Sequence, residues 1–344
     1  MKKVSSALLV AVLFAGCGGD GQSGAGDDGA LVLMTRNLYL GAPLEPLLQL
    51  VDPTQLPAAV GTTWRTVQAS DVPGRMSRVA NEIVAAGADV VALQEVALFQ
   101  TRPLLQSAPP TTAYDFLQLL LDHLHGTGHE YVAAGTSTNI DVELPDDTGQ
   151  RIRFVDRDVV LVRSGVQVSG VTTGHYATLA GVSAGSLSAT IPRGYVSLQV
   201  EAEGLAFTLL DTHLEIEGFH SVQEAQAREL AAVLPASGDL LVMGDLNSAA
   251  DGSSTASYAI VVGAGLTDPW TLLHPGDPGL TCCFAPDLRD PAVALTERID
   301  FVLYRGALSP AAVTTVGATP SSKTAAGVYP SDHAGVVATF HGGR

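Results

Sequence analysis

The sequence is poor in charged residues, and basic residues are the scarcer kind. Charged side chains make up 15% of the 344 residues, and 18 Lys and Arg face 35 Asp and Glu, which gives a net charge of −17. Such a chain lacks the basic footprint that attracts nucleic acid over long distances. It does not exclude binding of phosphate groups, because divalent cations can bridge acidic side chains to phosphate. The many Gly and Pro residues indicate a loop-rich globular protein.

Cysteine is rare, with Cys17, Cys282 and Cys283 as the three examples. This excludes a disulfide framework, and the spacing matches no cysteine-based metal motif. The Cα atoms of adjacent residues lie about 3.8 Å apart, closer than an ordinary disulfide allows. Cys282 and Cys283 therefore form either a strained vicinal disulfide or two neighbouring buried thiols.

Long apolar runs are missing after the N-terminus. The run Ala7–Ala15 is too short to span a bilayer and follows Lys2 and Lys3, as in an export signal. It ends in FAGC, which resembles the lipobox of bacterial lipoproteins, where the signal peptide is cut before a cysteine that is then lipidated. Cys17 would be that cysteine. The alternative is an ordinary secretory signal, and the protein would then be secreted.

We therefore interpret residues 1–16 as a lipoprotein signal peptide and residues 17–30 as a flexible tether, because the latter are mostly Gly, Ser and Asp. No break in composition divides residues 31–344, which we interpret as one domain. This interpretation places the protein outside the cytoplasm, at a bacterial outer membrane or cell surface, and attached to the membrane through lipid alone.

After the tether, strand-like runs alternate with amphipathic helices. Apolar residues recur at helical spacing over Arg75–Ala86 and Tyr114–His125, and a glycine follows each segment. Ser221 and Glu224 form a capping-box pattern that predicts a helix ending at Leu234. The alternation predicts an α/β fold with mixed sheets. The predicted strands are LVLMTRNLYL, DVVALQEV, RDVVLVRS, YVSLQVEAE, LAFTLLDTHLE, DLLVMGDLNS, ERIDFVLYRG and HAGVVATF.

Polar side chains stand at the ends of these strands, where ligand sites of layered α/β folds collect. Asp300 lies within an apolar run, and a buried carboxylate needs a partner such as His or a metal ion. An isolated Asp-His pair such as Asp332 and His333 is more often a simple turn. The full set is Asn37 in TRNLYL, Glu95 in LQEV, His213 in THLE, Asp245 and Asn247 in GDLNS, Asp300 in RIDFVL, and Asp332 and His333 in SDHAG.

The order and spelling of these segments resemble the endonuclease/exonuclease/phosphatase superfamily. LQEV, THLE, GDLNS, RIDFVL and SDHAGV follow one another in that order, and the resemblance covers Leu31–Phe340. The superfamily includes deoxyribonuclease I, exonuclease III type AP endonucleases, bacterial neutral sphingomyelinases and inositol polyphosphate 5-phosphatases. The resemblance implies a four-layer α/β/β/α sandwich with two mixed β-sheets, and metal-assisted cleavage of phosphoesters.

The resemblance also implies a metal site. Glu95 matches the metal-binding Glu of the superfamily, and Asn37 matches the neighbouring Asn that helps to hold the metal or the phosphate. Asp332 matches a second acidic residue at the metal. Oxygen ligands of this kind suit Mg²⁺ or Mn²⁺.

The remaining matches imply catalytic roles. Asp245 matches the residue that orients or deprotonates the attacking water, and Asn247 matches a residue that binds phosphate. His333 matches a general base or phosphate-contacting His, and Asp300 matches the carboxylate that fixes its tautomer and raises its pKa.

Two further residues bear on the branch of the superfamily. His213 stands where the AP endonuclease branch carries Asn and the other branches carry His, which can contact the phosphate or protonate the leaving oxygen. Arg157 resembles the phosphate-contacting Arg of the deoxyribonuclease branch. Alternatively, Arg157 pairs with Asp156 or Asp158 at the surface.

The sequence thus predicts a metal-dependent hydrolase of phosphoesters, by preference a phosphodiesterase, and its phosphoester substrate would be nucleic acid, phospholipid or inositol phosphate, with no protein partner. The scarcity of Lys and Arg disfavours tight binding to duplex nucleic acid, and we find no aromatic hairpin suited to membrane insertion. Thr267–Leu288 is the best candidate for a substrate-selecting loop, although it could equally pack over the core. The alternative function is a catalytically silent binding module of the same fold.

Overall fold

The computed structural model describes residues 29–184 and 187–342. The predicted signal peptide, Cys17 and most of the tether lie outside these residues. Within them, no helix has the length and apolar character needed to cross a bilayer. The strands are β1 (Leu31–Asn37), β2 (Val90–Gln94), β3 (Leu98–Pro103), β4 (Thr111–Asp115), β5 (Tyr131–Pro145), β6 (Gln150–Arg163), β7 (Gln167–His175), β8 (Ala180–Ala184), β9 (Leu187–Ile191), β10 (Gly194–Ala202), β11 (Leu205–His213), β12 (Leu240–Asp245), β13 (Asp300–Arg305), β14 (Leu308–Val316) and β15 (Gly335–Gly342). The helices are α1 (Glu45–Leu48), α2 (Leu56–Ala69), α3 (Val72–Ala86), α4 (Phe116–Gly126), α5 (His220–Val233), α6 (Ser257–Gly263) and α7 (Pro269–Leu273).

Two mixed sheets form the centre of the described chain. The first has eight strands in the order β14-β15-β1-β2-β6-β3-β4, with β5 also paired to β6. The second has five strands in the order β13-β12-β11-β10-β7. In each sheet one central pair is parallel, β1 with β2 and β11 with β12, and the other pairings are antiparallel.

Side-chain alternation along the strands builds three apolar layers between four layers of backbone. Leu33 belongs to the core between the two sheets, whereas its neighbour Met34 packs with α2, α3 and α4. In the second sheet, Leu241 faces the first sheet and Val242 packs against α5 and α6. The predicted α/β/β/α sandwich with two mixed sheets is therefore confirmed.

Three predicted helix starts differ from the structure. The first is α3, which already begins at Val72 and not at the predicted Arg75. Tyr114 pairs with Phe99 in the β3–β4 hairpin, so α4 begins only at Phe116. The predicted capping box is wrong, because α5 begins at His220 and its first turn has no side-chain cap. The Glu224 carboxylate instead accepts a bond from the backbone N–H of Ala256, a tertiary partner that the local pattern could not reveal.

The pairing register brings polar strand ends together. Asn37 lies opposite Gln94, the residue before Glu95, at the shared end of β1 and β2. In the second sheet Asp245 lies opposite both His213 and Asp300. Because the two sheets pack face to face, both sets of strand ends open at the same end of the sandwich.

Candidate active site

A hydrogen bond between the two sheets joins the strand ends at this site. The Nδ2 atom of Asn37 donates to Oδ2 of Asp245 over 3.1 Å, and both side chains are buried. The Oδ1 atom of Asn37 accepts from the backbone N–H of Tyr39 at 2.8 Å, which fixes the amide orientation. Residues from β1 and β12, far apart in sequence, therefore share one polar cluster.

A histidine–carboxylate pair forms the centre of the cluster. The Nδ1 atom of His333 lies 2.9 Å from Oδ2 of Asp300 and 3.8 Å from Oδ2 of Asp245. Burial lowers the pKa of His333, but Asp300, Asp332 and Asp245 outweigh it and raise that pKa well above its usual range. Burial and the Asp300 carboxylate raise the pKa of Asp245 to about 7. The site thus holds a histidine that stays protonated at neutral pH and a carboxyl group close to its titration point.

Glu95 and Asp332 form an acidic pair beside this centre. Glu95 follows β2 with φ of 57°, a left-handed conformation that costs free energy in a non-glycine residue. Its Oε2 atom accepts from the backbone N–H of Leu40 at 2.7 Å. Burial raises the pKa of Glu95 to about 8, with a further contribution from Asp332, whose own pKa burial also raises. Two buried oxygen-donating groups, one of which raises the pKa of the other, fit a site for a divalent cation.

His213 occupies the other side of Asp245. Its Nε2 atom lies 3.6 Å from Oδ2 of Asp245 and 3.1 Å from Nδ2 of Asn247. Burial, together with the Arg193 guanidinium and the His333 ring, holds the pKa of His213 well below its usual range. The two histidines of the site therefore differ in charge at neutral pH, with His213 neutral and His333 protonated.

A family model described as "Endonuclease/Exonuclease/phosphatase family" matches residues 65–333. The chain belongs to the endonuclease/exonuclease/phosphatase family. Enzymes of this family hydrolyse phosphoester bonds and generally use a divalent metal ion.

Solved structures of the endonuclease/exonuclease/phosphatase family share the fold. A family protein from Leptotrichia buccalis is 16% identical with a TM-score of 0.56, over 90% of this chain and 99% of that one. A D. rerio TDP2 structure complexed with single strand DNA product is 17% identical with a TM-score of 0.55, over 91% and 100% of the two chains. A family protein from Beutenbergia cavernae is 20% identical with a TM-score of 0.54, over 91% and 72%. No curated protein sequence matches significantly.

The predicted site residues of this family member lie in one place, except Arg157. Its Nε atom donates to the carbonyl oxygen of Val96 at 2.9 Å, and its guanidinium pairs with Asp115 at 2.7 Å. It pairs with neither Asp156 nor Asp158, the partners considered from the sequence. Because Val96 follows Glu95, this arginine holds the loop that carries Glu95, and its contact with phosphate stays a prediction.

Arg193 is a site residue that the sequence analysis missed. Its Nη1 atom lies 3.0 Å from Nδ1 of His213, and its Nη2 atom pairs with Glu215 at 3.5 Å. Asp156 lies 3.9 Å away and also accepts a bond from Asn139. Arg193 occurs in IPRGY directly before an apolar strand, and a charged residue at a strand end was the sequence feature that could have indicated its role. It fixes the His213 ring and places a positive charge at the edge of the site.

The segment Thr267–Leu288 divides into two parts. Trp270 is buried in the core between the sheets, and its Nε1 atom donates to the carbonyl oxygen of Asp277. This part packs over the core, the alternative considered from the sequence. Farther along, Cys282 and Phe284 are buried beside the His333 loop. The segment therefore supports the site, and a role in substrate selection stays a prediction.

Gly244 precedes Asp245 on β12, and its backbone conformation and surroundings leave no space for a side chain. Its φ is +131°, and an added Cβ atom would collide with the backbone carbonyl oxygen of Thr212 on β11. We expect Gly244→Ala to lower the free energy of unfolding by roughly 3 kcal/mol, since strained backbone and overpacking each cost about 1–3 kcal/mol. Urea unfolding curves measure this. Gly263→Ala is the matched control, because its Cβ would meet nothing within 4 Å. Equal stability of the two variants would contradict the assigned crowding.

Proposed function

We propose that this protein is a divalent-metal-dependent phosphodiesterase that acts outside the cytoplasm. The observation that carries this proposal is the meeting of the Asn37–Asp245 bond and the Asp300–His333 pair, at 3.1 Å and 2.9 Å, at one end of the sandwich. A family of phosphoester hydrolases and a dense cluster of buried acids and imidazoles together favour hydrolysis over passive binding.

The residues that would hold the metal are Glu95 and Asp332, with Asn37 beside them. Their oxygen atoms suit Mg²⁺ or Mn²⁺, and a bound cation would offset the burial of the two acids and the effect of Asp332 on Glu95. When bound, such a cation would supply stabilisation of the charge that develops on the phosphoryl group.

The chain's own groups would divide the remaining chemistry. Asp245, with a pKa of about 7, is suited to orient the attacking water and accept its proton. Protonated His333 is suited to contact a phosphate oxygen, which favours that role over the general-base role considered from the sequence. Neutral His213 presents Nε2 beside Asn247, where the two side chains could position the phosphate or the leaving oxygen.

The proposed substrate class rests on the fold comparison and on the net charge. TDP2, a protein of the same fold, has been solved with a single strand DNA product. The net charge of −17 opposes tight binding to duplex nucleic acid, which depends on many phosphate contacts. We therefore propose a nuclease-like or sphingomyelinase-like phosphodiesterase that takes single-stranded nucleic acid or a phospholipid, with removal of a phosphate monoester from an inositol phosphate as the alternative reaction.

The first experiment is a substrate screen with the purified protein. We expect hydrolysis of one of single-stranded DNA, RNA, sphingomyelin or an inositol polyphosphate in Mg²⁺ or Mn²⁺, with duplex plasmid DNA tested for comparison. Excess EDTA should abolish it, and added Mg²⁺ should restore it, since the oxygen ligands bind the cation reversibly. Turnover that survives EDTA would contradict the metal role. Mn²⁺ binding without turnover of any substrate would favour the binding module.

The tether has its own test, which is independent of activity. We propose that Cys17 is lipidated and holds the enzyme at a membrane. The wild-type chain should then be recovered with bacterial membranes, and Cys17→Ser should be recovered in the soluble fraction. Equal recovery of both proteins with membranes would contradict lipid anchoring.

A further inference from the structure

The segment Thr281–Phe284 runs alongside the histidine of the proposed catalytic pair. The backbone N–H of Phe284 donates to the carbonyl oxygen of Asp332 at 2.8 Å, and that of Ala334 donates to Thr281 at 2.7 Å. This short antiparallel bridge places Cys282 directly opposite His333. The backbone pairing therefore places the Cys282 sulfur beside the His333 imidazole.

The sulfur and nitrogen atoms are spaced as metal ligands. The Sγ atom of Cys282 lies 3.6 Å from Nε2 of His333. In a tetrahedral zinc site, sulfur and nitrogen ligands are about 3.5 Å apart, given Zn–S near 2.3 Å and Zn–N near 2.0 Å. One ligand atom from each of Cys282, Cys283 and His333 lies within 4.8 Å of the others.

A second observation supports metal ligation at this nitrogen. The other ring nitrogen of His333, Nδ1, is held by Asp300 at 2.9 Å. Metal-binding histidines almost always have such a carboxylate or carbonyl partner, which fixes the ring and makes the free nitrogen a better donor. Cys283 is exposed, so the site can be reached from solvent, whereas Cys282 is buried.

We propose that Cys282, Cys283 and His333 form an inhibitory site for a thiophilic divalent cation such as Zn²⁺, and that this site exists only when the cysteines are reduced. Zn²⁺ bound there would occupy Nε2 of His333 and withdraw it from the substrate. The inhibitory part rests on the proposed function, whereas the binding part does not. Mg²⁺ does not compete for this site, because it prefers oxygen ligands to thiolates.

Formation of this site requires a two-electron reduction of the Cys282–Cys283 disulfide. The structure pairs Cys282 with Cys283 as a disulfide, in which neither sulfur is a thiolate. A dithiol reductant transfers two electrons and two protons, which yields two cysteine thiols and leaves the reductant as a disulfide. The cation then displaces the two thiol protons and the proton on Nε2 of His333.

Titration with Co²⁺ tests the site without reference to activity. We expect reduced full-length protein to bind one Co²⁺ per chain with thiolate charge-transfer absorption, and Zn²⁺ to displace it while excess Mg²⁺ does not. The oxidised protein should show no such band. Cys283→Ser, which alters an exposed residue, should bind at least about tenfold more weakly, since even outer partners of a metal site contribute that much. The same band in oxidised protein or in this variant would overturn the proposal.

Hydrolysis assays then test the inhibitory role. One equivalent of Zn²⁺ should abolish hydrolysis by the reduced wild type, but not by the oxidised wild type or by Cys283→Ser, whose basal activity should be unchanged. Charge-transfer binding that leaves hydrolysis intact would overturn the inhibitory role. If no form of the protein hydrolyses any substrate, the proposed function fails, and the Co²⁺ spectra still decide the metal site.

Discussion

Replacing His333 with Ala should reduce hydrolysis by about 10²–10⁴-fold, the usual contribution of a proton-transferring or charge-bearing catalytic side chain. The ring lies between Asp300 and Asp332 and carries a positive charge where a phosphate oxygen would approach. The loss should fall mainly on kcat, because the interaction strengthens as negative charge develops on the phosphoryl group. Steady-state kinetics with the substrate found in the screen measure it.

An exposed histidine provides the control for this substitution. His220 pairs with Glu224 on the surface of α5, so His220→Ala should keep full activity. Far-ultraviolet circular dichroism should show that both variants are folded. If His333→Ala kept wild-type activity, the catalytic centre would have to lie elsewhere.

The same variant has an expected pH signature in stability. The folded-state pKa of His333 lies above the unfolded value of about 6.5, so protonation stabilises the folded protein. That contribution is fully present below about pH 6.5 and is lost as the pH rises through the folded pKa. With EDTA present, the free energy of unfolding of wild type relative to His333→Ala should therefore decrease as the pH rises above about 6.5. A difference that grew with pH would contradict the charge assigned to His333.

Residues at strand ends could be predicted from the sequence, because an acid, amide or imidazole that follows an apolar run is visible locally. Asn37 and Asp245 were identified in this way although they are 208 positions apart. The sheet order that brings them together is not visible in either segment. It came from the superfamily resemblance, which supplied the sandwich before any pairing was known.

Residue pairs that form only in the tertiary structure could not be predicted from the sequence. Arg193 has no motif, and its role depends on His213 lying next to it on the adjacent strand. Arg157 contacts Asp115, a residue before α4, and neither acid beside it in sequence. Cys282 meets His333 across 51 positions, so the spacing of the cysteines alone gave no metal pattern. In each case the packed fold selects one partner among several chemically equivalent ones.

Glu95→Gln should lower turnover by roughly 10²–10³-fold, the loss typical of one strong electrostatic contact to a transition state. The amide oxygen can still accept the bond from the Leu40 N–H, so the loop should keep its conformation. The metal concentration for half-maximal activity should rise, because an amide is a weaker ligand for Mg²⁺ than a carboxylate. Glu130→Gln, which alters a surface carboxylate paired with His125, is the control and should change neither quantity.

Glu95→Gln should lower activity but raise the stability of the metal-free protein. Burial and Asp332 hold the pKa of Glu95 near 8, above its unfolded value of about 4.5, so ionisation of Glu95 destabilises the metal-free fold. That penalty is absent below about pH 4.5, grows as the pH rises, and is complete above pH 8. Glu95→Gln should therefore be more stable than wild type in EDTA at pH 8, yet gain less stability from added Mn²⁺. Thermal unfolding with and without Mn²⁺ measures both effects. A variant that lost stability in EDTA and kept the full gain from Mn²⁺ would show that Glu95 serves the fold and not the metal.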